Sequence, residues 1–189
     1  METREKAKLF GRFTVECWRL RDPGTGQRLR DSRGRFLPRQ LAWLEDVRNI
    51  IPDEGLNHAL NVVLNGATGI DPWYCCLVES DTTPAAGQTY ATPVYTESTA
   101  YDEATRPEYE PATSTAEEIT NTANKAVFTI NDTKTMYGAS IVGGGTDANT
   151  KGNTAGGGTL FCYSRFTTSR SVISGDVINL TYSVEAESA

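Results

Sequence analysis

The stretch Asn49-Ile-Ile-Pro-Asp-Glu-Gly-Leu-Asn-His-Ala-Leu-Asn-Val-Val-Leu-Asn-Gly66 carries the clearest helical period in the chain. Apolar residues recur there in the pattern of an amphipathic helix: Leu56, Ala59, Leu60, Val63 and Leu64. Asp53 can accept hydrogen bonds from the free N–H groups of a first turn. Gly66 tolerates the left-handed conformation that follows a last turn. The pattern predicts a short helix over about residues 53–65, whose apolar stripe plugs an open side or end of a β-sandwich.

Strands and turns are predicted on both sides of this helix. In segment 9–20 the residues Phe13, Val15 and Cys17 alternate with polar ones, which indicates a half-buried strand. The apolar run 73–78 indicates a core strand. Further strands are predicted at 41–51, 126–130, 136–142, 159–166 and 176–184, with a Ser/Arg turn before the last. For residues 41–47 a helix is the alternative. Successive strands without intervening helices favour a mainly β fold, either an antiparallel β-sandwich or a jelly-roll-like domain.

A chain of 189 residues suits one domain, in which two parts are expected. Residues 1–40 comprise a basic N-terminal arm (1–8), the first strand and an Arg-rich loop at 21–39. Residues 41–189 form the sandwich body, with the helix and long loops at 80–118 and 143–158. Long loops without structure are uncommon in compact domains. We therefore expect the tyrosines of the 80–118 loop to pin it to the sheet.

Charge is distributed unevenly along the chain. Residues 1–50 hold twelve Lys/Arg and seven Asp/Glu, a net charge of +5. Residues 51–189 hold six Lys/Arg and seventeen Asp/Glu, a net charge of −11, and the two parts sum to −6. A basic third on an acidic body predicts docking on an acidic partner, although ordinary solvated charge is an alternative. No aromatic-rich basic module is present, so direct binding to nucleic acid is not expected. The predicted docking residues are Arg12, Arg19, Arg21, Arg28, Arg30, Arg33, Arg35 and Arg39.

Residues that support catalysis are scarce. Acid–base and nucleophilic chemistry usually needs a histidine or a shielded carboxylate pair. The single histidine, His58, lies off the apolar stripe and is expected to be a polar surface residue. Asp102, Glu103, Glu108 and Glu110 suggest a glycosidase pair or a calcium site, but the Pro-broken segment lacks a calcium-loop glycine. A solvated loop is favoured, and we expect no enzyme, no catalytic residue, no metal and no cofactor.

The cysteines do not form a metal-binding pattern. They are Cys17, Cys75, Cys76 and Cys162. Without a C-x-x-C pair, a single histidine cannot complete a zinc set with them. We expect small buried residues with reduced thiols; a cross-link within the chain or between copies is the alternative. The chain lacks an apolar run of roughly 18 residues and an apolar core after its charged N-terminus, so cytoplasmic synthesis without membrane association is expected.

Six segments of the chain form a recognisable set when they are taken together. They are N-I-I-P-D-E-G-L-N-H-A-L (49–60), W-Y-C-C-L-V (73–78), T-P-A-A-G-Q-T-Y (83–90), Y-T-E-S-T-A-Y-D-E-A-T-R-P-E-Y (95–109), N-T-A-N-K-A-V-F-T-I-N (121–131) and S-G-D-V-I-N-L-T-Y-S-V (174–184). This set resembles a family of tailed-bacteriophage virion proteins. The resemblance runs from about residue 13 to residue 184, and Y-x-E-A-T-R-P is its most specific part. It implies a non-enzymatic structural protein, located in the virion after assembly in the host cytoplasm.

Within that class we expect a capsid decoration, or cement, protein. It binds the assembled coat lattice or neighbouring virion proteins, and it forms a homo-oligomer. Residues 1–40 supply electrostatic docking, so deletion of residues 1–39 is expected to abolish shell binding and leave a folded body. One alternative is a neck or tail component, such as a ring or fibre base. A less favoured alternative is a glycan-binding module on the particle surface, supported by aromatic residues and loop carboxylates.

Overall fold

The computed structural model describes residues 8–152 and 156–187. Within them the chain forms nine strands and one helix. In chain order they are β1 (Lys8–Arg19), β2 (Gln40–Arg48), α1 (Asp53–Leu64), β3 (Trp73–Val78), β4 (Glu108–Tyr109), β5 (Glu118–Thr120), β6 (Ala126–Thr129), β7 (Lys134–Gly143), β8 (Thr159–Val172) and β9 (Val177–Glu187). The predicted arm lies outside the described residues, except for Lys8, which begins β1.

The strands form two antiparallel sheets. One has the order β2-β1-β9, and both β5 and β6 pair with the far edge of β9. The other is four-stranded, with the order β4-β3-β7-β8. Inward-facing residues of both sheets, such as Phe13, Val15 and Leu180 against Leu77 and Ile141, belong to one buried cluster. The predicted fold class, a mainly β antiparallel sandwich with a short helix, is confirmed.

Strand β1 lies inside its sheet rather than in a detachable arm. It pairs with β2 on one side and with β9 on the other. The side chains of Phe13, Val15 and Cys17 are fully buried between the sheets. Deletion of residues 1–39 therefore removes a core strand, and the body cannot be expected to stay folded without it. Residues 20–39 lie outside this pairing.

Strand β8 is longer than the sequence pattern predicted. Its residues 170–172 pair with 134–136 of β7, and a buried carboxylate accepts hydrogen bonds from its polar half. Instead of turning after residue 166, β8 continues to Val172. The side chain of Glu45 in β2 accepts hydrogen bonds from Thr167 N–H and from the guanidinium of Arg170, at 2.5 and 2.6 Å. Burial alone would raise the pKa of Glu45, but these hydrogen bonds outweigh it and hold the pKa below its usual value.

Helix α1 forms where predicted, but the opposite face packs on the sandwich. Gly55 is its buried residue, and a Cβ there would overlap the carbonyl oxygen of Phe161 in β8. A small residue lets the helix approach the strand closely, whereas a row of leucines would hold it away. The predicted apolar stripe therefore points to solvent: Leu56, Leu60, Val63 and Leu64 are exposed. The expectation that this stripe plugs the sandwich is wrong.

The ends of the helix follow the predicted signals in part. Gly66 has a φ of +66°, and the Ala67 N–H donates to the carbonyl of Asn61, which confirms the glycine stop. At the start, Pro52 is the N-cap and no side chain caps the first turn, so the predicted hydrogen-bonding role of Asp53 is wrong. Asp53 instead places a negative charge at the positive end of the helix.

His58 and the cysteines are packing residues. The ring of His58 is half-buried edge-on against Trp73, with centroids 5.5 Å apart, so its predicted polar surface role is wrong. All four cysteines are buried and free. Burial raises the pKa of each thiol, which keeps the reactive thiolate scarce.

The 80–118 loop is fastened to the sandwich by buried tyrosines, as predicted. Tyr90 and Tyr95 cluster with residues of the four-stranded sheet, whereas Tyr101 and Tyr109 pack against Phe128 and Tyr182 of the five-stranded sheet. Arg106 makes two parallel hydrogen bonds to Glu97, at 2.9 and 2.6 Å, and both side chains are 1% exposed. The same guanidinium donates to the Tyr90 hydroxyl at 2.6 Å and to the Ala148 carbonyl at 2.7 Å. The arginine of the Y-x-E-A-T-R-P run therefore joins this loop to the 143–158 loop.

Candidate docking surface

The Arg-rich segment between β1 and β2 is an ordered hairpin rather than a slack loop. Leu29 N–H donates to the Leu20 carbonyl and Leu37 N–H donates to the Leu29 carbonyl, at 2.8 and 2.9 Å. Arg21 pairs with Arg28, and Arg30 with Phe36, in isolated antiparallel bridges. Residues 20–39, which we call the arginine hairpin, thus fold back on themselves beyond the ends of β1 and β2.

Two aspartates shape the turns of the arginine hairpin. The carboxylate of Asp22 accepts hydrogen bonds from the N–H groups of Gly24 and Thr25, at 3.1 and 2.8 Å. The carboxylate of Asp31 accepts from the N–H groups of Arg33 and Arg35, and it also pairs with the Arg35 guanidinium at 2.8 Å. These hydrogen bonds lower the pKa of both carboxyl groups. A hairpin ordered in advance loses less conformational entropy when it binds a partner.

An exposed phenylalanine lies between two arginines of the hairpin. The guanidinium carbons of Arg30 and Arg28 lie 3.9 and 4.8 Å from the ring centroid of Phe36. The Phe36 side chain is still 53% exposed. Cation–π contact holds the ring in place, so the hairpin presents an aromatic group with flanking positive charge.

The structure divides the eight predicted docking arginines into two groups. The exposed hairpin arginines are Arg21, Arg28, Arg30, Arg33 and Arg35. The others make contacts within the sandwich. Arg12 pairs with Asp46 at 2.8 Å, far along β1. Arg19 forms an ion pair with the buried Asp176 at 2.6 Å, and Arg39 donates to the Gly175 carbonyl at 2.6 Å. The last two anchor the base of the hairpin to the β8–β9 turn.

An apolar patch lies on the outer face of the five-stranded sheet, at the base of the hairpin. Strand register places Trp18 beside Leu41 on β2 and Val177 on β9. In the next row, Leu44 and Val127 lie on either side of Glu16 and Asn179. Leu41, Leu44 and Val127 are 48%, 45% and 43% exposed, and Trp18 is half-buried. Together with the exposed hairpin residues this patch forms what we call the docking surface.

Sequence reasoning missed the apolar half of the docking surface. The alternation in β1 assigns Trp18 to the polar side, together with Thr14 and Glu16. The sequence contained one signal for the apolar patch, which is a tryptophan on the solvent-facing side of a strand. Its neighbours Leu41 and Val177 come from distant segments, and only the pairing of strands brings them together.

The acidic residues considered for catalysis or calcium do not converge. Both carboxylate oxygens of Glu103 accept from the Thr129 N–H, at 3.1 and 3.0 Å, so this side chain supports the loop. Asp102, Glu108 and Glu110 are exposed. Among residues 8–152 and 156–187, no group of three His, Cys, Asp or Glu side chains is arranged to hold a metal ion.

A cleft of about 450 Å³ lies between segment 68–74 and the glycine-rich segment 144–149. Pro72 and the half-buried Tyr74 contribute apolar surface, and Asp71, Thr146 and Asn149 contribute polar groups. Burial, followed by the nearby carboxylates of Glu108 and Asp71, raises the pKa of Tyr74. The tyrosine therefore keeps its hydroxyl proton, and the cleft combines a ring surface with hydrogen-bonding groups.

Comparison with known proteins adds no relative to this picture: no family model and no curated protein matches the sequence. The likeness to phage virion proteins therefore stays a resemblance carried by the segments quoted above. In the described part of the chain, no helix is long and apolar enough to cross a membrane.

Proposed function

We propose that this chain is a non-enzymatic structural protein of a tailed-phage virion, most specifically a capsid decoration protein. It acts without a cofactor and docks on the coat lattice through the docking surface. The observation that carries the proposal is the preformed arginine hairpin, with Phe36 exposed between Arg28 and Arg30, beside an apolar patch. Because the protein binds only the assembled shell, it stabilises that shell by mass action.

The composition of the docking surface suits a protein partner. Arginine and aromatic residues dominate the energetic centres of protein interfaces, and Trp18 and Phe36 supply two such rings. The hairpin arginines favour an acidic partner and accelerate its encounter. A nucleic acid would use the arginines but would leave the aliphatic patch of Leu41 and Leu44 without a counterpart. The major capsid protein or a neighbouring virion protein is the expected partner.

Co-sedimentation with purified shells tests the docking role. Arg33→Glu and Phe36→Ala alter exposed hairpin side chains, so the fold should persist while shell binding weakens at least tenfold. Arg48→Glu is the matched control, since Arg48 is an exposed arginine on β2 outside the hairpin. Added salt should weaken binding of the unaltered chain. Shell binding that is undiminished in both hairpin variants would rule out the docking role.

Location on the particle separates decoration from a neck or tail role. A decoration protein occurs in many copies spread over the head, whereas a neck or tail component occurs in few copies at one vertex. Immunogold labelling and quantitative gel densitometry of intact virions measure both quantities. Labelling confined to one vertex would replace the decoration proposal with the neck or tail alternative.

A second candidate function, glycan binding, is favoured by the cleft beside Tyr74. Its volume of about 450 Å³ lies within the range of small-ligand sites, roughly 300–1,000 Å³. Aromatic and apolar surface beside Asp, Asn and Thr side chains matches the alternating apolar and hydroxyl faces of a sugar ring. Calorimetry against host-surface oligosaccharides tests this function. Tyr74→Ala and Asp71→Asn alter residues that line the cleft and should abolish any binding, whereas Glu110→Gln, outside the lining, should not.

A further inference from the structure

The solvent-facing side of α1 is an unusually apolar surface. The side chains of Leu56, Leu60, Val63 and Leu64 are 37%, 57%, 77% and 78% exposed, and we call them the helix seam. Single exposed apolar residues are ordinary, but a contiguous row on one helix face marks an interaction site. The helix seam lies on the opposite face from Gly55, which contacts β8.

The spacing of the helix seam is that of a helix-pairing surface. From Leu56 to Leu60 is four positions and from Leu60 to Val63 is three, which is the a/d spacing of a coiled-coil seam. Leu64 widens the seam by one flanking position. The body-facing side carries the buried Gly55 and the half-buried His58 instead. The helix thus has two faces, one for its own sandwich and one for another helix.

Charge identifies the occupant of the helix seam. A two-fold interface places a surface against its own copy, so a charged row would repel itself. The seam is bordered by the uncharged Asn57, Asn61 and Asn65. The acids of α1 lie in its first turn, where the Glu54 carboxylate is directed inward and accepts from Leu160 N–H at 2.6 Å. An uncharged apolar seam is suited to self-association, whereas the arginine hairpin is not.

We propose that the helix seam binds the helix seam of a second copy of this chain, with the two helices antiparallel about a two-fold axis. In this arrangement Leu60 lies near the axis and Leu56 faces Leu64 of the second copy. The antiparallel orientation separates the acidic first turns by the length of a twelve-residue helix, about 18 Å. That distance exceeds the screening length of about 8 Å at physiological salt. A parallel pair would bring the two Asp53 carboxylates together.

The proposed pairing goes beyond the decoration function and does not depend on it. A single short helix buries less than the roughly 800 Å² per partner of a standard interface. We therefore expect a weak, concentration-dependent dimer in free solution, with a Kd on the order of 10–100 μM. On a shell, where copies are held close together, the same contact would become intramolecular in effect and far more populated.

Sedimentation equilibrium of the full chain, over a range of concentrations and without shells, tests the pairing. The unaltered chain should shift from monomer to dimer, and Leu60→Gln or Val63→Gln should raise the Kd at least tenfold. Both side chains are more than half exposed, so these variants should keep the thermal stability of the unaltered monomer. Val94→Gln is the matched control, since Val94 is a 58% exposed valine on the 80–118 loop, outside both the helix seam and the docking surface, and it should leave the Kd unchanged. A strictly monomeric chain, or dimerisation indifferent to both seam variants, would overturn the proposal.

Disulfide trapping tests whether the Leu60 positions of two copies meet near the two-fold axis. All four native cysteines are buried, so Leu60→Cys introduces the accessible thiol. Mild oxidation should cross-link Leu60→Cys into dimers, whereas Ser114→Cys, at an exposed position of the 80–118 loop, should stay monomeric. Failure of Leu60→Cys to cross-link at concentrations that produce the dimer overturns the antiparallel arrangement. Because shells are absent from both measurements, a failure of shell docking leaves this result unaffected, and the reverse also holds.

Discussion

Replacement of Arg106 by methionine should be among the most damaging single changes to this protein. The Arg106 side chain is 1% exposed and makes two hydrogen bonds to the equally buried Glu97. Two further hydrogen bonds, to the Tyr90 hydroxyl and the Ala148 carbonyl, join the 80–118 loop to the 143–158 loop. Methionine keeps most of the side-chain volume, so the variant removes charge and hydrogen bonds without a large cavity.

The expected loss of folding free energy in Arg106→Met follows from the charge of Glu97, which stays buried after its arginine is removed. Removal of one partner of a buried ion pair costs about 3–5 kcal/mol, because the remaining charge is buried without compensation. Here that charge is the Glu97 carboxylate, whose remaining hydrogen bonds include one from Gly152 N–H at 3.0 Å. For a domain of this length, each kcal/mol lowers Tm by about 2–4 °C, so a fall of roughly 6–20 °C is expected.

Urea and thermal unfolding of a double-mutant cycle measure this coupling. Glu97→Gln combined with Arg106→Met removes both charges, so the double variant should be more stable than Arg106→Met alone. The matched control is Arg165→Met, since Arg165 forms an ion pair with Asp81 at the surface, and its unfolding midpoint should stay close to that of the unaltered chain. The reasoning is refuted if Arg106→Met costs less than about 1 kcal/mol, or if the two substitutions are additive.

Three further changes test other parts of the fold. Ala116 and Glu117 have φ values of 51° and 60° at the centre of a two-residue hairpin turn, so Glu117→Gly should stabilise by about 1 kcal/mol in urea unfolding. The pKa of Glu45 is lowered in the folded state, so the carboxylate stabilises the fold fully above its unfolded pKa of about 4.3. This stabilisation is lost as the pH falls through the lower pKa of the folded state. Glu45→Gln should therefore lower the stability at pH 7 and make the stability less dependent on acid. Gly55→Ala would press a methyl group onto the Phe161 carbonyl. Thermal unfolding should show a loss of about 1–3 kcal/mol in the free energy of unfolding.

Each of these three changes has an outcome that contradicts its premise. An unchanged or lower midpoint for Glu117→Gly would mean that the left-handed turn is not strained. If the stability of Glu45→Gln falls with decreasing pH as steeply as that of the unaltered chain, another carboxylate governs acid unfolding. A Gly55→Ala variant as stable as the unaltered chain would mean that the helix can move away from β8 without cost.

The strands were largely predictable because their evidence is local. The alternation of Phe13, Val15 and Cys17 with polar residues requires only that one face of β1 be buried, and the structure buries that face. The end of β8 was not predictable in the same way. Its polar residues 167–171 read as a turn, but residues 170–172 pair with 134–136 of β7, and Glu45, on a distant segment, accepts hydrogen bonds from Thr167 and Arg170.

The candidate docking residues were predictable as a class but not individually. Composition identifies an arginine-rich segment before residue 40, and the structure does concentrate exposed arginines on the hairpin. Composition could not show that Arg19 is hydrogen-bonded to Asp176, because the two residues are 157 positions apart in the sequence. The apolar patch around Trp18 was likewise hidden, since strand register alone decides which distant side chains become its neighbours.

The stretch from residue 49 to residue 66 separates the two kinds of information. By itself the sequence determined that a helix forms there, that it ends just before Gly66, and which residues make an apolar row, because all of these depend on local spacing and backbone preference. Only the tertiary structure decided which face packs inward. Gly55 permits close approach to β8 and the larger residues do not, so the face with the smallest side chain packs against the sandwich and the leucine row meets the solvent.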